Sequence, residues 1–474
     1  MTGGRGLASV EVMRRFFVSA GALWFGVALL LTAAAADGFA QAGASRESQP
    51  KTEATPTLVA AASPSTLPVD AGALYEEASK YVERKFEEFR QNRVPFSRAL
   101  ATETFRQQRE LAARHAARLV SRGNLAGADH YYLGLLYNLA GKSAASIEPL
   151  RRFLAPGSQG AKEQLQNARL ILGAEAAALK RFEEAESVLA DYARGDAATP
   201  QGLFKLHHAL ARAYSAEKKF EQSAAHARVA FKVAKESPVK TGEEADRAQI
   251  IGAAAEFLAD VLLELKQETG AAATMEELLR LSLSLPSAQI FSGAARWLAT
   301  NEHEKLIERV LNETPDASAS VPTAPEINIA EWIDHKPVKL SDLRGRVVLL
   351  DFWATWCAPC LYTMPKLKTL HDRFKKDGLT VIGLTQFFGR AGDKVLTPEE
   401  ELEHLRSYKK DLKLPYAFAV AADEDNDVRY GVRSIPTAFL LDRRGRVRYI
   451  SVGAGGASHH KELSDNIKRL LAEP

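Results

Sequence analysis

The chain is short of cysteine: its 474 residues include two, Cys357 and Cys360, separated by Ala358 and Pro359. A tetrahedral zinc site needs four ligands, so a structural C-x-x-C pair normally comes with a second pair of Cys or His. No second pair is present here, which argues against a metal site. A disulfide that closes so short a loop also removes little entropy from the unfolded chain. The remaining use for the pair is redox chemistry.

An excess of charge of one sign is also missing. The chain has 62 Lys and Arg against 59 Asp and Glu, a formal net charge of +3, and no dense basic run is interleaved with aromatic residues. This pattern gives no support to nucleic-acid binding. The local group of arginines at Arg443, Arg444, Arg446 and Arg448 is typical of a solvent-exposed hairpin.

Uncharged runs long enough to span a bilayer are absent except near the N-terminus, where Arg14-Arg15 precede an uncharged stretch over 16–36. Because the small residues Ala40-Gln41-Ala42 follow, we expect a signal peptide or a membrane anchor over 1–42. Either alternative places the bulk of the protein outside the cytoplasm. Residues 43–70, rich in Ala, Ser, Thr, Pro and Gln, predict a flexible linker.

The cysteine pair follows an apolar run from Val347 to Trp353, which has the length of a central parallel strand. After the pair, apolar residues recur at helical intervals; they are Leu361, Met364, Leu367, Leu370 and Phe374. The segment predicts a strand, a tight turn and a helix, with Cys357 just before or at the helix N-terminus. Unpaired N–H groups and the helix dipole stabilise a thiolate there. We therefore expect Cys357 to attack and Cys360, one turn later, to resolve.

One acid interrupts the apolar run: Asp351 lies six residues before the first cysteine. It is either a strand-end residue that faces solvent or a buried carboxyl, and its apolar neighbours favour burial. Burial raises the pKa of a carboxyl. Asp351 is therefore a candidate to exchange a proton with Cys360.

The stretch DFWATWCAPC resembles the active site of the thioredoxin superfamily. The lead-in VKLSDLRGRVVLLDFW and the later YGVRSIPTAFLLDRRGRV are similar to its TlpA/ResA-like branch, whose domain is of the redoxin (AhpC/TSA-like) type. The resemblance implies an α/β thioredoxin fold over 324–474. It also implies a periplasmic thiol–disulfide oxidoreductase without a cofactor, which exchanges electrons with protein thiols and a membrane donor.

The resemblance also assigns residues to the site. Those that it makes catalytic are Cys357, Cys360, Asp351 and Pro436. Those that would bind the substrate are Trp356, Ile435 and Pro436. In this family the bond that corresponds to Ile435-Pro436 is cis and lies beside the reactive sulfur.

Two positions depart from the family pattern. Many members of this branch have an acid three residues after the second cysteine, where this chain has Thr363. The lysine that faces the buried aspartate in many thioredoxins is replaced by Gly383. The second departure leaves open how far the pKa of Asp351 is raised.

The same domain has an insertion between Thr385 and Tyr416. Its Thr397-Pro398-Glu399-Glu400 stretch is a capping box with proline at the first position, which predicts a helix from there to about Asp411. The insertion is either a surface that influences partner choice or an ordinary crossover between parallel strands.

From 71 to 312 the pattern is helical and repeated. Leu-Gly or Leu-Ala pairs begin at Leu133, Leu172 and Leu210, a spacing of about 38 to 39 residues that resembles tetratricopeptide repeats. A generic helical bundle is the alternative. We expect a multidomain protein: an all-α tetratricopeptide-like repeat domain at 71–312, a linker at 313–323 and the α/β thioredoxin fold at 324–474. A stack of such hairpins would suit the docking of a protein partner.

Two other functions stay open. A peroxidase of the peroxiredoxin type needs a Pro-x-x-x-Thr/Ser-x-x-Cys loop, and Cys357 lacks that spacing although Thr355 is near. A repeat-based interaction scaffold with a vestigial redox domain would not need the intact cysteine pair, Asp351 or Pro436. Reduction of insulin separates the enzyme from the scaffold.

Overall fold

The structure is a computed structural model that describes residues 70–237, 244–313, 322–392 and 394–473. The targeting segment expected at 1–42 lies outside these residues, as do residues 43–69 of the expected linker. Most of the linker expected at 313–323 lies outside them as well. In the part that is described, no helix is both long and apolar enough to cross a membrane.

The chain before the sheet is helical, as its content of alanine, leucine, glutamate and lysine favours. Thirteen α-helices occupy the described residues of this region. They are α1 (Ala71–Ser79), α2 (Tyr81–Gln91), α3 (Arg98–Arg122), α4 (Ala128–Leu139), α5 (Ser143–Phe153), α6 (Lys162–Ala178), α7 (Phe182–Arg194), α8 (Pro200–Ala216), α9 (Phe220–Glu236), α10 (Glu244–Glu264), α11 (Glu268–Ser284), α12 (Ala288–Thr300) and α13 (Glu304–Asn312).

From α4 onward the helices pair into hairpins: α4 with α5, α6 with α7, α8 with α9, α10 with α11, and α12 with α13. Each hairpin turn has one residue with a positive φ, the usual way to end a helix; these are Gly141, Lys180, Lys218, Lys266 and Glu302. Small residues allow close packing, since a Cβ on Gly134 would lie 2.5 Å from Leu150 Cδ2. The hairpins thus continue beyond the three repeats visible in the sequence.

The α/β region is a mixed sheet with helices. The strands are β1 (Glu331–Ile333), β2 (Val347–Phe352), β3 (Leu379–Gln386), β4 (Arg390–Ala391), β5 (Lys394–Val395), β6 (Ala417–Ala421), β7 (Thr437–Leu441) and β8 (Val447–Val452). The helices are α14 (Ala358–Phe374), α15 (Pro398–Asp411), α16 (Asp425–Arg429) and α17 (Ala457–Ala472). Short 3₁₀ turns occupy Leu340–Leu343 and Lys375–Asp377.

Six strands form the main sheet, in the order β1-β6-β3-β2-β7-β8. The neighbours β2, β3 and β6 run parallel, and the other pairs are antiparallel. Strand β2 is buried along its whole length, as its unbroken apolar run requires. This is the expected thioredoxin-like α/β fold, and it follows the expected all-α region.

The helical region and the sheet share one hydrophobic core. From Ala71 onward the chain forms one compact unit, and buried helical residues from Ala211 to Leu311 belong to the same apolar cluster as the sheet. Helices α11 and α12 pack against β8, and α10 packs against α16. The later hairpins therefore cover part of the α/β region.

The arginine-rich hairpin between β7 and β8 was expected to face solvent, and this is wrong for Arg446 and Arg448, which are 7% and 3% exposed. Arg446 pairs with Asp442 at 2.8 Å. Arg448 pairs with Glu473 at 2.6 Å and donates to the backbone oxygen of Glu313 at 2.9 Å. Burial is tolerated because oxygen acceptors meet the guanidinium donors. The hairpin thus joins the sheet to the end of the helical region.

Candidate redox site

The cysteine pair lies where β2 gives way to α14. Cys357 is the N-cap of α14 and has an extended backbone, and Pro359 follows in the first turn. Proline fits there because the N–H that it lacks would have no partner inside the helix. The predicted order of strand, tight turn and helix, with Cys357 at the helix N-terminus, is confirmed.

Cys357 and Cys360 are joined by a disulfide, with their Cα atoms 5.2 Å apart. The backbone N–H of Cys360 donates a hydrogen bond to Cys357 Sγ at 3.2 Å. Cys360 is fully buried and Cys357 is 5% exposed, so Cys357 is the more accessible residue but is covered more than expected. Its position at the positive end of the α14 dipole favours a thiolate.

Asp351 is buried in β2, beside Gly383 of β3 and Ala438 of β7. Burial raises the pKa of its carboxyl to about 8, because the charged form loses its hydration. The carboxyl lines a cavity of about 30 Å³ together with Thr363 and Lys366 of α14. A cavity of this size has room for about one water molecule.

Lys366 was missed by the sequence reasoning. Its Nζ is buried and, among the residues that the structure describes, has no hydrogen-bond partner. It lies 3.7 Å from the centroid of the Tyr362 ring, which attracts a cation. Nothing in the sequence marks it, because a lysine on a helix is ordinarily exposed. It lines the same small cavity as Asp351.

The glycine at 383 has a packing reason. A Cβ there would lie 3.0 Å from Trp353 Nε1 and 3.2 Å from Phe418 Cδ1, so these two rings occupy the space that a lysine side chain would need. The cation that shares a cavity with Asp351 therefore comes from α14, through Lys366, and not from β3.

A second, larger cavity of about 350 Å³ is lined by Trp356 and Ile435, two of the residues expected to bind substrate. Trp356 is 48% exposed. Its ring packs edge-on against Phe388 of the insertion, with the centroids 5.3 Å apart. The cavity thus combines aromatic walls with polar ones, since Asp423 and Asp427 line it as well.

The insertion holds one wall of this cavity in place. The capping box predicted at Thr397 and Glu400 is confirmed, and the helix that it starts, α15, carries the buried Glu401. The Glu401 carboxylate accepts hydrogen bonds from the backbone N–H groups of Phe388 and Gly389 at 2.9 and 2.8 Å. Sequence reasoning missed both Glu401 and Phe388.

The expected site residues come together around two cavities. Trp356 and Ile435 meet at the larger one, and Asp351 meets Pro436 at the smaller one. The Ile435–Pro436 bond is cis, as the resemblance implies. In the described ranges, no group of three or more His, Cys, Asp or Glu could hold a metal ion.

Comparison with known proteins finds similarity over part of the chain. Residues 322–450 match the model of the AhpC/TSA family. The chain is 29% identical over 148 residues to the thiol-disulfide oxidoreductase ResA of Geobacillus thermodenitrificans. These residues are 31% of this chain and 76% of the relative. The solved structure of a thiol:disulfide interchange protein of the thioredoxin family from Chlorobium tepidum is 23% identical, with a TM-score of 0.26. The match covers 33% of this chain and 100% of the other one.

A second relative is nearer in sequence. The thiol-disulfide oxidoreductase ResA of Geobacillus kaustophilus is 32% identical over 133 residues, which are 28% of this chain and 68% of the relative. Identity at that level over two thirds of the relative, on a thioredoxin-like sheet with a disulfide at the helix N-terminus, shows that this chain belongs to the ResA-like thiol–disulfide oxidoreductases.

Proposed function

We propose that the protein is an extracytoplasmic oxidoreductase whose redox centre is the Cys357–Cys360 pair. The observation that carries this proposal is the position of the two cysteines at the start of α14. Cys357 caps the helix, and Cys360 is fully buried in its first turn. The helix terminus favours the attacking thiolate on Cys357, and burial suits Cys360 to the resolving step.

In the reducing direction, the Cys357 thiolate attacks one sulfur of a protein disulfide. A bond forms between Cys357 and that sulfur, the substrate S–S bond breaks, and the second substrate sulfur leaves as a thiolate. Cys360 then gives its proton to the Asp351 carboxylate, and its sulfur attacks Cys357 Sγ. The enzyme disulfide forms, the mixed disulfide breaks, and the first substrate sulfur leaves as a thiolate, so that two electrons have passed to the substrate. Asp351 and solvent return the two protons that the substrate dithiol needs, and a dithiol of a membrane electron donor reduces the enzyme again.

We assign substrate binding to Trp356, Ile435 and Pro436. The cavity at Trp356 and Ile435 has a volume of about 350 Å³, enough for a side chain of a substrate. Large exposed aromatic residues are typical of surfaces that meet another protein. The Trp356 ring beside the cysteine pair therefore supports a protein substrate.

The N-terminal part of the chain supports the location and a docking role. Residues 1–42 would act as a signal peptide or membrane anchor, since an uncharged stretch follows Arg14-Arg15. A dedicated disulfide enzyme also suits an oxidising compartment. The hairpins between α4 and α13 resemble tetratricopeptide repeats, and such stacks form extended surfaces that bind proteins. We propose that they dock a partner.

The proposal is tested by trapping. Cys360→Ser leaves the attacking thiol but removes the resolving one, so this variant should accumulate mixed disulfides when it is expressed in its own cell envelope. Dithiothreitol should dissolve the adducts, and mass spectrometry should identify the substrates. The matched control is Cys357→Ser, which removes the attacker and should trap nothing.

The outcomes separate the candidate functions. Adducts on Cys357→Ser and not on Cys360→Ser would reverse the two roles. If neither variant traps a protein and the wild type does not reduce insulin, a repeat scaffold with an inactive redox domain would be supported instead. Consumption of peroxide without a thiol partner would support a peroxidase.

A further inference from the structure

The loop between α16 and β7 reaches the larger cavity through Val432, Arg433, Ser434 and Ile435, called the substrate loop below. Trp356 lines the same cavity, so a movement of the loop relative to Trp356 would change the width of the cavity. The loop has no regular secondary structure of its own, so its position depends on what packs behind it.

Behind the loop lies the N-terminus of α12, which belongs to the helical region. The N–H of Ala288 donates to the backbone oxygen of Tyr430 at 3.0 Å, and the N–H of Gln289 donates to that of Gly431 at 3.0 Å. First-turn N–H groups of a helix have no partner inside the helix. Here the partners are the two residues that lead into the substrate loop.

The contact is tight at Gly431. Its φ is +57°, and a Cβ there would lie 2.5 Å from Ser287 Oγ and 3.2 Å from Ser287 Cα. Ser287 is the N-cap of α12 and is buried, so it has little room to move away. The close approach of Ser287 leaves no room for a side chain at position 431, and the positive φ also favours glycine.

The neighbouring residues are held as well. The Tyr430 hydroxyl donates to the backbone oxygen of Pro325 at 2.5 Å, and its ring contacts Phe352 and Phe439. On the loop itself, Arg433 Nε donates to Gln289 Oε1 at 3.3 Å. The substrate loop is therefore fixed at one end by the sheet and by the helical region together.

We propose that the first turn of α12, Ser287–Gln289, positions the substrate loop, so that the helical region forms part of the support for substrate binding. Ser287, Gln289 and Gly431 act as positioning residues and do not touch the reacting sulfurs. This inference rests on the proposed function, because it assumes that a protein disulfide is bound beside Trp356 and Ile435.

The test is to add a side-chain atom at position 431. Gly431→Ala should push the loop away from α12, and a displacement of about 1 Å far from the chemistry can cost up to about 100-fold in rate. The readout is the ratio of kcat/KM for insulin to the rate constant for hydroxyethyl disulfide, which is too small to need the loop. We expect Gly431→Ala to lower this ratio by about ten-fold or more.

Two further variants make the test specific. Gly392→Ala is the matched control, because Gly392 also has a φ of +57° but its Cβ would meet nothing within 4 Å; its ratio should stay at the wild-type value. Ser287→Gly, added to Gly431→Ala, removes the Oγ and Cβ of Ser287, including the atom at 2.5 Å, and leaves only the Cα at 3.2 Å. It costs the helix N-terminus little and should restore most of the ratio. Equal ratios for the two alanine variants, or no restoration by Ser287→Gly, would overturn the inference.

Thermal unfolding of each variant shows whether it is folded. If Gly431→Ala does not fold, the same ratio is measured in Gln289→Ala, which removes the hydrogen-bond acceptor for Arg433. The ratio should then fall, and an unchanged ratio overturns the inference. If the wild type reduces neither insulin nor hydroxyethyl disulfide, the proposed function itself fails and this inference falls with it. If the wild type reduces both substrates and Gly431→Ala leaves the ratio unchanged, the positioning role alone is refuted.

Discussion

Replacing Asp351 by asparagine should change the pH dependence of stability. Burial raises the pKa of this carboxyl from its ordinary 3.8 to about 8. The folded protein therefore keeps a proton that the unfolded chain releases, so this contribution to stability is full below about pH 4 and is lost as pH rises to about 8. At about 1.4 kcal/mol for each pKa unit, the loss between pH 5 and pH 8 is roughly 3–4 kcal/mol.

Asparagine has no proton to lose, so Asp351→Asn should not show this loss. Its stability relative to the wild type should rise by roughly 3–4 kcal/mol from pH 5 to pH 8. Because a compact unit of this size has an unfolding entropy of about 0.8 kcal/mol per degree, this corresponds to a relative shift in Tm of roughly 4 °C. Calorimetry of the oxidised protein at several pH values measures the shift.

The same substitution should slow the resolving step. Cys360 is fully buried, so its proton needs an acceptor inside the protein, and a positioned general base contributes about 100-fold or more. The loss should be largest near pH 8, where about half of the wild-type carboxyl is ionised, and smaller at pH 6, where it is protonated. Mixing reduced enzyme with one equivalent of a peptide disulfide, followed by acid quenching and mass spectrometry, gives the lifetime of the mixed disulfide.

Asp377→Asn is the control. Asp377 is an exposed carboxyl just after α14, so its replacement makes the same chemical change at the surface without touching the small cavity. If Asp351→Asn and Asp377→Asn show the same dependence of Tm on pH and the same lifetimes, the buried carboxyl has neither the raised pKa nor the proton-transfer role.

Two more predictions concern charge and burial. Because burial is the cause of the raised pKa of Asp351, Lys366→Met and Lys366→Arg should give the same midpoint for the pH dependence of resolution; different midpoints for the two variants would contradict this. His208, packed between Phe204 and Phe257, has its pKa lowered to about 4 by burial and by Arg212, so its contribution to stability is lost as pH falls from about 6.5 to 4. Between pH 7 and pH 4, the free energy of unfolding of His208→Phe should therefore fall by roughly 2–3 kcal/mol less than that of the wild type. Thermal unfolding measures the difference, and an equal fall in both proteins would refute the prediction.

The local structure around the cysteines could be predicted from the sequence because it depends on near neighbours. Apolar residues in an unbroken run form a buried strand, and the three- and four-residue spacing that begins at Leu361 forms a helix face. The buried state of Asp351 follows from its apolar neighbours in the same strand. The capping box at Thr397 is equally local, since its two side chains reach only three residues along the chain.

The surroundings of Asp351 could not be predicted in full. Lys366 and Asp351 lie on different elements, and only the packing of α14 on the sheet brings them to one cavity. Gly383 looked like the loss of a functional lysine, but the space is taken by Trp353 and Phe418, whose contact depends on three strands. Side chains that meet across elements leave no periodic signal in the sequence.

By itself the sequence determined the helical hairpins, the strand–turn–helix at Cys357 and the family resemblance, because periodicity, caps and short motifs act within a few residues. Only the tertiary structure decided that the two regions share a core and that Ser287 lies against Gly431. These residues are far apart in the chain, and their contact depends on which apolar faces pack together once the helices and the sheet have formed. Arg448 was buried by the same packing, because the end of α13 supplies the oxygen of Glu313 that meets its guanidinium.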